Sequence, residues 1–179
     1  MTLKKIFSVL LALTMLFVCA CDKDKNEDVP ERNYNSEFVL PGIKMDIPED
    51  YLLDNEDTEH PFYYKRVEEE DALYTITLTS ETTESTFDSY CYFAKDKLKQ
   101  LDGFTLFSEE NATISNLPAR ISEFQYQVEY NTGTETFYCA HAILVSSKAV
   151  YVISCIAGRL TYENERDTFM HCINSIQIH

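Results

Sequence analysis

The stretch that decides the fold is residues 120–157, RISEFQYQVEYNTGTETFYCAHAILVSSKAVYVISCIA. Within it, residues 120–129, 134–145 and 149–157 are rich in β-branched and aromatic residues, and a turn ending at Gly133 and a Ser-Ser-Lys connection separate them. Short polar connections between such runs are typical of β-hairpins. The stretch therefore predicts three consecutive antiparallel strands, which form a meander.

The last two of these strands contain almost unbroken apolar runs, at residues 140–145 and 149–156. A strand that has one face in water alternates apolar and polar residues, whereas a strand covered on both faces does not. We therefore expect this pair to lie in the centre of the sheet, with packing partners on both faces.

The remaining chain adds two helices and further strands. Apolar residues at i, i+3 and i+4 spacing predict a helix over residues 87–101, with Ser85 and Asp88 as its capping box. Its apolar side consists of Phe87, Tyr90, Cys91, Ala94, Leu98 and Leu101. A second helix, capped by Thr161, has Tyr162, Phe169, Cys172 and Ile173 on one side. Strand patterns occur at residues 38–40, 43–47, 62–67, 73–79, 104–107, 112–114 and 175–178. This order predicts an α+β fold, a single antiparallel β-sheet of about six to seven strands with helices packed on its faces.

Composition limits the classes of function. The chain has 179 residues, enough for one domain with appendages, and a formal net charge of -15. This charge disfavours nucleic acid and anionic membrane surfaces as partners, because the phosphates of both repel an acidic surface. With four glycines in the chain, a glycine-rich phosphate-binding loop is hard to place, and no motif indicates a cofactor.

The N-terminus has the organisation of a secretory signal. Lys4 and Lys5 precede an apolar run over residues 6–18, which is shorter than the ~20 residues of a membrane-spanning helix. Val18-Cys19-Ala20-Cys21 then resembles the bacterial lipobox, which implies that Cys21 carries the lipid anchor, including palmitate, after cleavage. The alternative is an ordinary cleaved signal in which Cys21 is incidental.

The expected organisation has three parts. We predict a lipoprotein signal peptide at residues 1–20, the lipidated Cys21 and a charged flexible linker at 21–36, and one domain at 37–179. The lipid would hold this domain on the extracytoplasmic face of the cell membrane.

Three segments resemble the PsbP-like family, whose members include photosystem subunit PsbP, the Ran-binding Mog protein and the envelope lipoprotein DcrB. They are residues 42–48, 114–119 and 151–155. The resemblance implies an α+β domain without enzymatic activity, which acts as a binding or accessory module for an envelope protein complex. The expected partner is an unidentified envelope protein.

Four cysteines remain in the domain: Cys91, Cys139, Cys155 and Cys172. They permit two disulfides, or they are four buried thiols. A hairpin centred on Ser147 would place Cys139 opposite Cys155, whereas a register shift of one residue would separate them. Cys91 and Cys172 lie on the two helices and could meet only if both helices share one face of the sheet. No closely spaced cysteine pair indicates a zinc site.

Two further groups of residues are candidate sites. Asp54, Glu56, Asp57, Glu59 and His60 form an acidic cluster that is either a solvated loop or a weak site for a cation or a partner. It would support an alternative function as a small-ligand or cation-binding lipoprotein that uses the acidic region at 49–71.

Cys139 and His141 form the best pair for a Cys-His hydrolase. This function is the least favoured, because a third residue that would orient the pair is missing.

Overall fold

The structure, a computed structural model, describes residues 32–54, 62–65 and 74–179, and for residues 54, 62–65 and 74 it describes the backbone alone. Residues Asn33–His179 form one compact unit. The predicted signal peptide, Cys21, Glu56, Asp57, Glu59 and His60 lie outside the described residues.

The elements of this unit are ten strands and two helices within the described residues. The strands are β1 Tyr34–Leu40, β2 Ile43–Pro48, β3 Tyr51–Asp54, β4 Phe62–Lys65, β5 Tyr74–Thr82, β6 Thr105–Ile114, β7 Leu117–Tyr130, β8 Gly133–Val145, β9 Ala149–Gly158 and β10 Gln177–Ile178. The helices are α1 Phe87–Leu98 and α2 Arg159–Asn174.

The strands form two sheets. The larger has seven strands in the order β3-β4-β5-β9-β8-β7-β6, and the smaller has three in the order β1-β2-β10. Every recorded pairing is antiparallel, so the predicted α+β class and the meander of β7, β8 and β9 are confirmed. The smaller sheet was not anticipated. Its central strand, β2, pairs with β1 on one side and with the C-terminal strand β10 on the other. Next to β10, the His179 amide donates to the Gly42 carbonyl at 2.8 Å.

Several predicted boundaries differ from the structure. β1 begins at Tyr34, inside the predicted linker, and β3 was not predicted. Residues 104–114 contain one long strand instead of two short ones, and the next turn is Ser115-Asn116, not residues 116–119. Both turn residues have positive φ, as a tight two-residue hairpin requires. Strand pairing here outweighs the weak β-propensity of the polar residues in β6.

The larger sheet is covered on both faces, as the apolarity of β8 and β9 predicted. On one face, Ala140, Ala142 and Leu144 of β8 belong to a large core that includes α2 and β2. On the other face, Ile143 and Val145 of β8 belong to a small core beneath α1. Because successive side chains of a strand point to opposite faces, the two helices lie on opposite faces of this sheet.

Candidate functional site

The most extensive polar cluster surrounds the Glu123 carboxylate on the α2 face of the sheet. Arg166 donates to it twice, from Nε at 2.7 Å and from Nη2 at 2.6 Å. The Tyr162 hydroxyl donates at 2.8 Å and the Ser108 hydroxyl at 3.1 Å. The hydrogen bonds from Arg166 are the largest cause that holds the pKa of Glu123 below its usual range, against the opposing effect of burial.

This cluster joins α2 to the edge of the larger sheet. The Tyr162 ring also lies 5.8 Å from Tyr138 and 6.0 Å from Phe169, and Tyr138 stacks on Phe107 at 5.7 Å. Each of the two carboxylate oxygens of Glu123 accepts two hydrogen bonds. The carboxylate is therefore a structural anchor for α2, and its geometry resembles neither a general base nor an open ligand site.

Cys139 and His141 share the α1 face of β8, as their spacing predicted. Burial raises the pKa of the Cys139 thiol and lowers the pKa of His141 to about 4. The His141 imidazole is 7% exposed, and its ring lies 5.8 Å from that of Phe124 in an edge-on arrangement. A nucleophilic thiol needs a lowered pKa and access to substrate, and Cys139 has neither. The geometry therefore does not support a Cys-His hydrolase.

The β8–β9 register differs by one residue from the register that would place Cys139 opposite Cys155. Cys139 pairs with Ile156, and Cys155 pairs with Ala140. This shift places the two thiols on opposite faces of the sheet. The hairpin is centred between Ser147 and Lys148, and the Ser146 side chain bonds the backbone of Ala149 across these two residues.

Cys91 and Cys172 are also separated. Cys91 belongs to the small core beneath α1, and Cys172 belongs to the large core beneath α2. The sheet lies between these cores, so the condition stated for this pair, a shared face, is not met. All four cysteines of the domain are buried thiols.

The acidic cluster of the sequence is described at one position, Asp54, whose backbone ends β3. In the part of the chain that the structure describes, His, Cys, Asp and Glu side chains form no group of three that could hold a metal ion. The same residues contain no helix that is both long and apolar enough to cross a membrane.

A histidine contact that the sequence did not reveal joins the smaller sheet to α2. The Nε2 atom of His171 lies 3.1 Å from an Asp46 carboxylate oxygen, and the Tyr34 ring stacks on the imidazole at 4.0 Å. The Ser175 hydroxyl accepts from the Asp46 amide and donates to the Cys172 carbonyl. Because the hydroxyl proton is directed to a carbonyl and not to His171, these three residues do not form a catalytic triad.

A polar pocket of about 430 Å³ lies where β5 meets the β8–β9 hairpin, lined by Thr82, Thr83, Glu84, Ser147 and Lys148. Its backbone is held by a hydrogen bond from the Thr83 amide to the Lys148 carbonyl. Lys148 and Glu84 give the lining one charge of each sign.

The outer surface of α1 exposes two large aromatic side chains. Tyr92 is 78% exposed and Phe93 is 59% exposed, and the Lys97 ammonium lies 5.4 Å from the centre of the Phe93 ring. The helical periodicity that assigned Cys91 and Ala94 to the core left both aromatics off the buried face. The same helical periodicity therefore indicates that both aromatic side chains are exposed.

A scan of protein-family models and a comparison with curated proteins give no match. Solved structures do match, with probability 1.00. CyanoP, the PsbP of Synechocystis sp. PCC 6803, matches with a TM-score of 0.55 and 9% identity over 82% of this chain and 92% of that one. The fold is PsbP-like.

Two further structures share this PsbP-like fold. LpqN, involved in cell envelope biogenesis of Mycobacterium tuberculosis, has a TM-score of 0.53 and 22% identity over 83% of this chain and 91% of its own. A Pseudomonas aeruginosa protein of unknown function has a TM-score of 0.58 and 12% identity over 80% and 95%. At these identities the likeness establishes the fold and not an activity.

The three segments that carried the resemblance are structural parts of the PsbP-like fold. Residues 42–48 contain β2, residues 114–119 contain the β6–β7 hairpin, and residues 151–155 lie in β9. Ser115 of the hairpin accepts a hydrogen bond from the Ile178 amide at 2.7 Å, so this turn also holds the C-terminal strand.

Proposed function

We propose that the chain is a lipoprotein anchored on the extracytoplasmic face of the cell membrane, whose PsbP-like domain is a non-catalytic accessory module for an envelope protein complex. The observation that carries the proposal is the lipobox-like Val18-Cys19-Ala20-Cys21, which follows an apolar run too short to span a bilayer. The shared fold with LpqN, a protein involved in cell envelope biogenesis, supports the same compartment.

The proposal that the module is non-catalytic is supported by how its chemically capable side chains are used. Glu123 is saturated by Arg166, Tyr162 and Ser108. Cys139 is buried as a neutral thiol, which is a poor nucleophile, and His141 is buried with a pKa of about 4, which makes it a weak base. None of these groups has the accessible, activated geometry that a hydrolytic mechanism requires.

Metabolic labelling with palmitate tests the anchor. In cells of a bacterial host, Cys21→Ser should abolish both the label and recovery in the membrane fraction, because the thiol is the acceptor of the lipid. Cys19→Ser is the matched control, because it changes the neighbouring cysteine and should keep both. Palmitate labelling that persists in Cys21→Ser would contradict the proposal.

Crosslinking in intact membranes tests the accessory role. Residues 49–71 hold ten acidic residues against Lys65 and Arg66, so we expect a partner with a cationic contact surface. Neutralising Asp54, Glu56, Asp57 and Glu59 to their amides should weaken the crosslink to a specific envelope protein. A control that neutralises the exposed Glu110, Glu129, Glu135 and Asp167 should not.

The alternative, a cation-binding lipoprotein, gives a different result with the same variants. Millimolar calcium would raise the melting temperature of the unmodified protein and not that of the quadruple amide variant. A calcium response of this kind, together with no specific crosslinked protein, would replace the accessory role by ligand binding.

A further inference from the structure

The outer surface of α1 combines exposed aromatic rings with ammonium groups. We define the aromatic–lysine face as Tyr92, Phe93, Lys97 and Lys99. All four residues are exposed, and the Lys97 ammonium lies over the Phe93 ring. Phe93 and Lys97 are four residues apart and lie on one side of the helix, whereas Tyr92 and Lys99 are seven residues apart and lie on the neighbouring side, with the exposed Asp96 between the two rings.

The fold does not need these two rings. The side of α1 that packs on the sheet consists of Cys91, which is 3% exposed, with Phe87, Tyr90 and Ala94 around it. Large apolar side chains that are exposed close together on a soluble domain indicate a contact site. Tyr92 and Phe93 therefore require an explanation outside the core.

The charge of this surface is opposite to that of the molecule. Residues 92–101 hold three lysines, Lys95, Lys97 and Lys99, against Asp96, in a chain whose formal net charge is -15. Lys95 is bonded to Glu109 at 3.1 Å, which leaves Lys97 and Lys99 as the outward cations of the face. An anionic surface would repel most of the molecule, and the outward cations of α1 reduce that repulsion locally.

We propose that the aromatic–lysine face docks on the anionic headgroups of the bilayer that holds the Cys21 anchor. The inference rests on the proposed lipid anchor. Exposed aromatic rings flanked by lysines are the side chains that bind the membrane–water interface, where the rings enter the headgroup region and the ammonium groups contact lipid phosphates. Docking would fix which side of the domain faces its partner.

The length of chain between the anchor and the domain permits this orientation. Twelve residues lie between Cys21 and Tyr34, where β1 begins, and an extended chain over these thirteen steps reaches at most about 45 Å. A folded unit of this size has a radius of gyration of about 15 Å. The tether therefore reaches the bilayer whichever side of the domain faces it.

The tether also determines how strong the contact must be. An anchored domain has an effective concentration at its own membrane on the order of millimolar. A face that binds lipid with a millimolar dissociation constant is then substantially occupied when the anchor is present. Without the anchor, the same affinity would be too weak to hold the protein on the membrane.

The absence of tryptophan from the chain allows a clean test. Phe93→Trp places the sole tryptophan on the aromatic–lysine face. Phe38→Trp is the matched control, because Phe38 is 63% exposed and has the Lys44 ammonium 4.7 Å from its ring, but lies in the smaller sheet. The full-length lipidated proteins are reconstituted into vesicles of phosphatidylcholine with phosphatidylglycerol, or of phosphatidylcholine alone, and recovered by flotation.

Docking predicts a blue-shifted emission for Phe93→Trp in the anionic vesicles and about twofold quenching by lipids brominated near the headgroup, because interfacial rings lie ~5–10 Å into that region. Phe38→Trp should retain the emission of a tryptophan in water. Adding Lys97→Gln and Lys99→Gln to Phe93→Trp should remove the shift, as should the uncharged vesicles.

Three results would overturn the inference. Floated Phe93→Trp protein with the same water-exposed emission as Phe38→Trp would exclude docking while leaving the anchor intact. A shift seen with native membranes and not with pure lipid would assign the face to a protein. A protein that fails to float, with Cys21 intact, would remove the proposed anchor and this inference with it.

Discussion

At the scale of single residues, His141 and Glu123 are two buried ionisable side chains that the fold treats in opposite ways. Glu123 remains charged because Arg166, Tyr162 and Ser108 replace its hydration. His141 has an apolar ring beside it, and burial favours its neutral form. The difference follows from which neighbours the register places beside each group: Tyr162 and Arg166 approach the α2 face, whereas Phe124 lies beside His141 on the α1 face.

His141 should make the domain sensitive to mild acid. Its pKa is about 4 in the folded chain against 6.5 in the unfolded chain, so below pH 6.5 the unfolded chain binds a proton that the folded chain does not. The free energy of unfolding is therefore highest above pH 6.5, and it decreases as the pH falls from 6.5 towards 4. Between pH 7 and 4.5 the loss should be about 2 kcal/mol, measured from urea unfolding midpoints.

His141→Gln should remove this pH-dependent loss, because the amide does not titrate. Phe137→Leu, on the same face of β8, is the control for packing and should lower stability equally at both pH values. Glu123 loses its contribution only as the pH falls through its own lowered pKa, so it affects a more acidic range. Equal pH slopes for the unmodified protein and His141→Gln would show that another group causes the sensitivity.

At the scale of elements, the start of α1 shows how a capping signal can be misassigned by one residue. Ser85 and Asp88 have the sequence spacing of a capping box, yet the N-cap is Thr86, whose Oγ1 accepts from the Ser89 amide at 3.4 Å. The Ser85 amide is engaged by the Thr83 side chain, which extends the preceding loop by one residue. The end of the helix also differs, because the predicted helix runs to residue 101 whereas α1 ends at Leu98 with Lys99 as its C-cap.

Thr86→Ala should therefore destabilise α1, and Ser85→Ala should not. Loss of a threonine N-cap costs about 1 kcal/mol, whereas a surface substitution without a contact changes stability by less than about 0.5 kcal/mol. Chemical denaturation followed by circular dichroism compares the two variants directly. A larger loss of stability for Ser85→Ala than for Thr86→Ala would instead support Ser85 as the N-cap, as the sequence predicted.

The second helix begins earlier than its sequence signal. Thr161 was expected as the N-cap, but α2 starts at Arg159 after Gly158 and has no side-chain cap bond. Its stability comes from packing: Tyr162, Phe169, Cys172 and Ile173 are buried, as the periodicity predicted. Tertiary burial here outweighs the local capping preference.

At the scale of the whole molecule, one core joins the two sheets. Ile43, Met45 and Ile47 of β2 pack in the same cluster as α2 and the central strands of the larger sheet. Phe169 is fully buried in this cluster and lies on the helix between the sheets. The smaller sheet therefore has no separate core, and we expect both sheets to unfold in one transition.

Phe169→Ala should destabilise both sheets together by about 4 kcal/mol, because it removes a fully buried ring and leaves a cavity. Phe93→Ala, an exposed phenylalanine, should change stability by less than about 0.5 kcal/mol. Amide hydrogen exchange in β2 and β8 measures the two sheets separately. Faster exchange of β8 with no change in β2 would show that the smaller sheet is independent.

The sequence by itself determined the elements that depend on local pattern. Alternation and apolar runs predicted the meander and its burial on both faces, and 3.6-residue periodicity predicted which side of each helix is buried. The lipobox-like segment, the acidic cluster and the four cysteines were equally visible, because they are defined by residue type and spacing. The lipobox-like segment also led to the predicted anchor at Cys21.

Only the tertiary structure decided what depends on contacts between distant segments. The β8–β9 register differs by one residue from the simplest hairpin, and that residue separates Cys139 from Cys155. The pairing of β10 with β2, the hydrogen bonds from Arg166 to Glu123 and the contact of His171 with Asp46 join residues 43 or more positions apart. Local patterns carry no information on such pairings, because the free energy that selects them comes from packing and hydrogen bonds that exist only once the chain has folded.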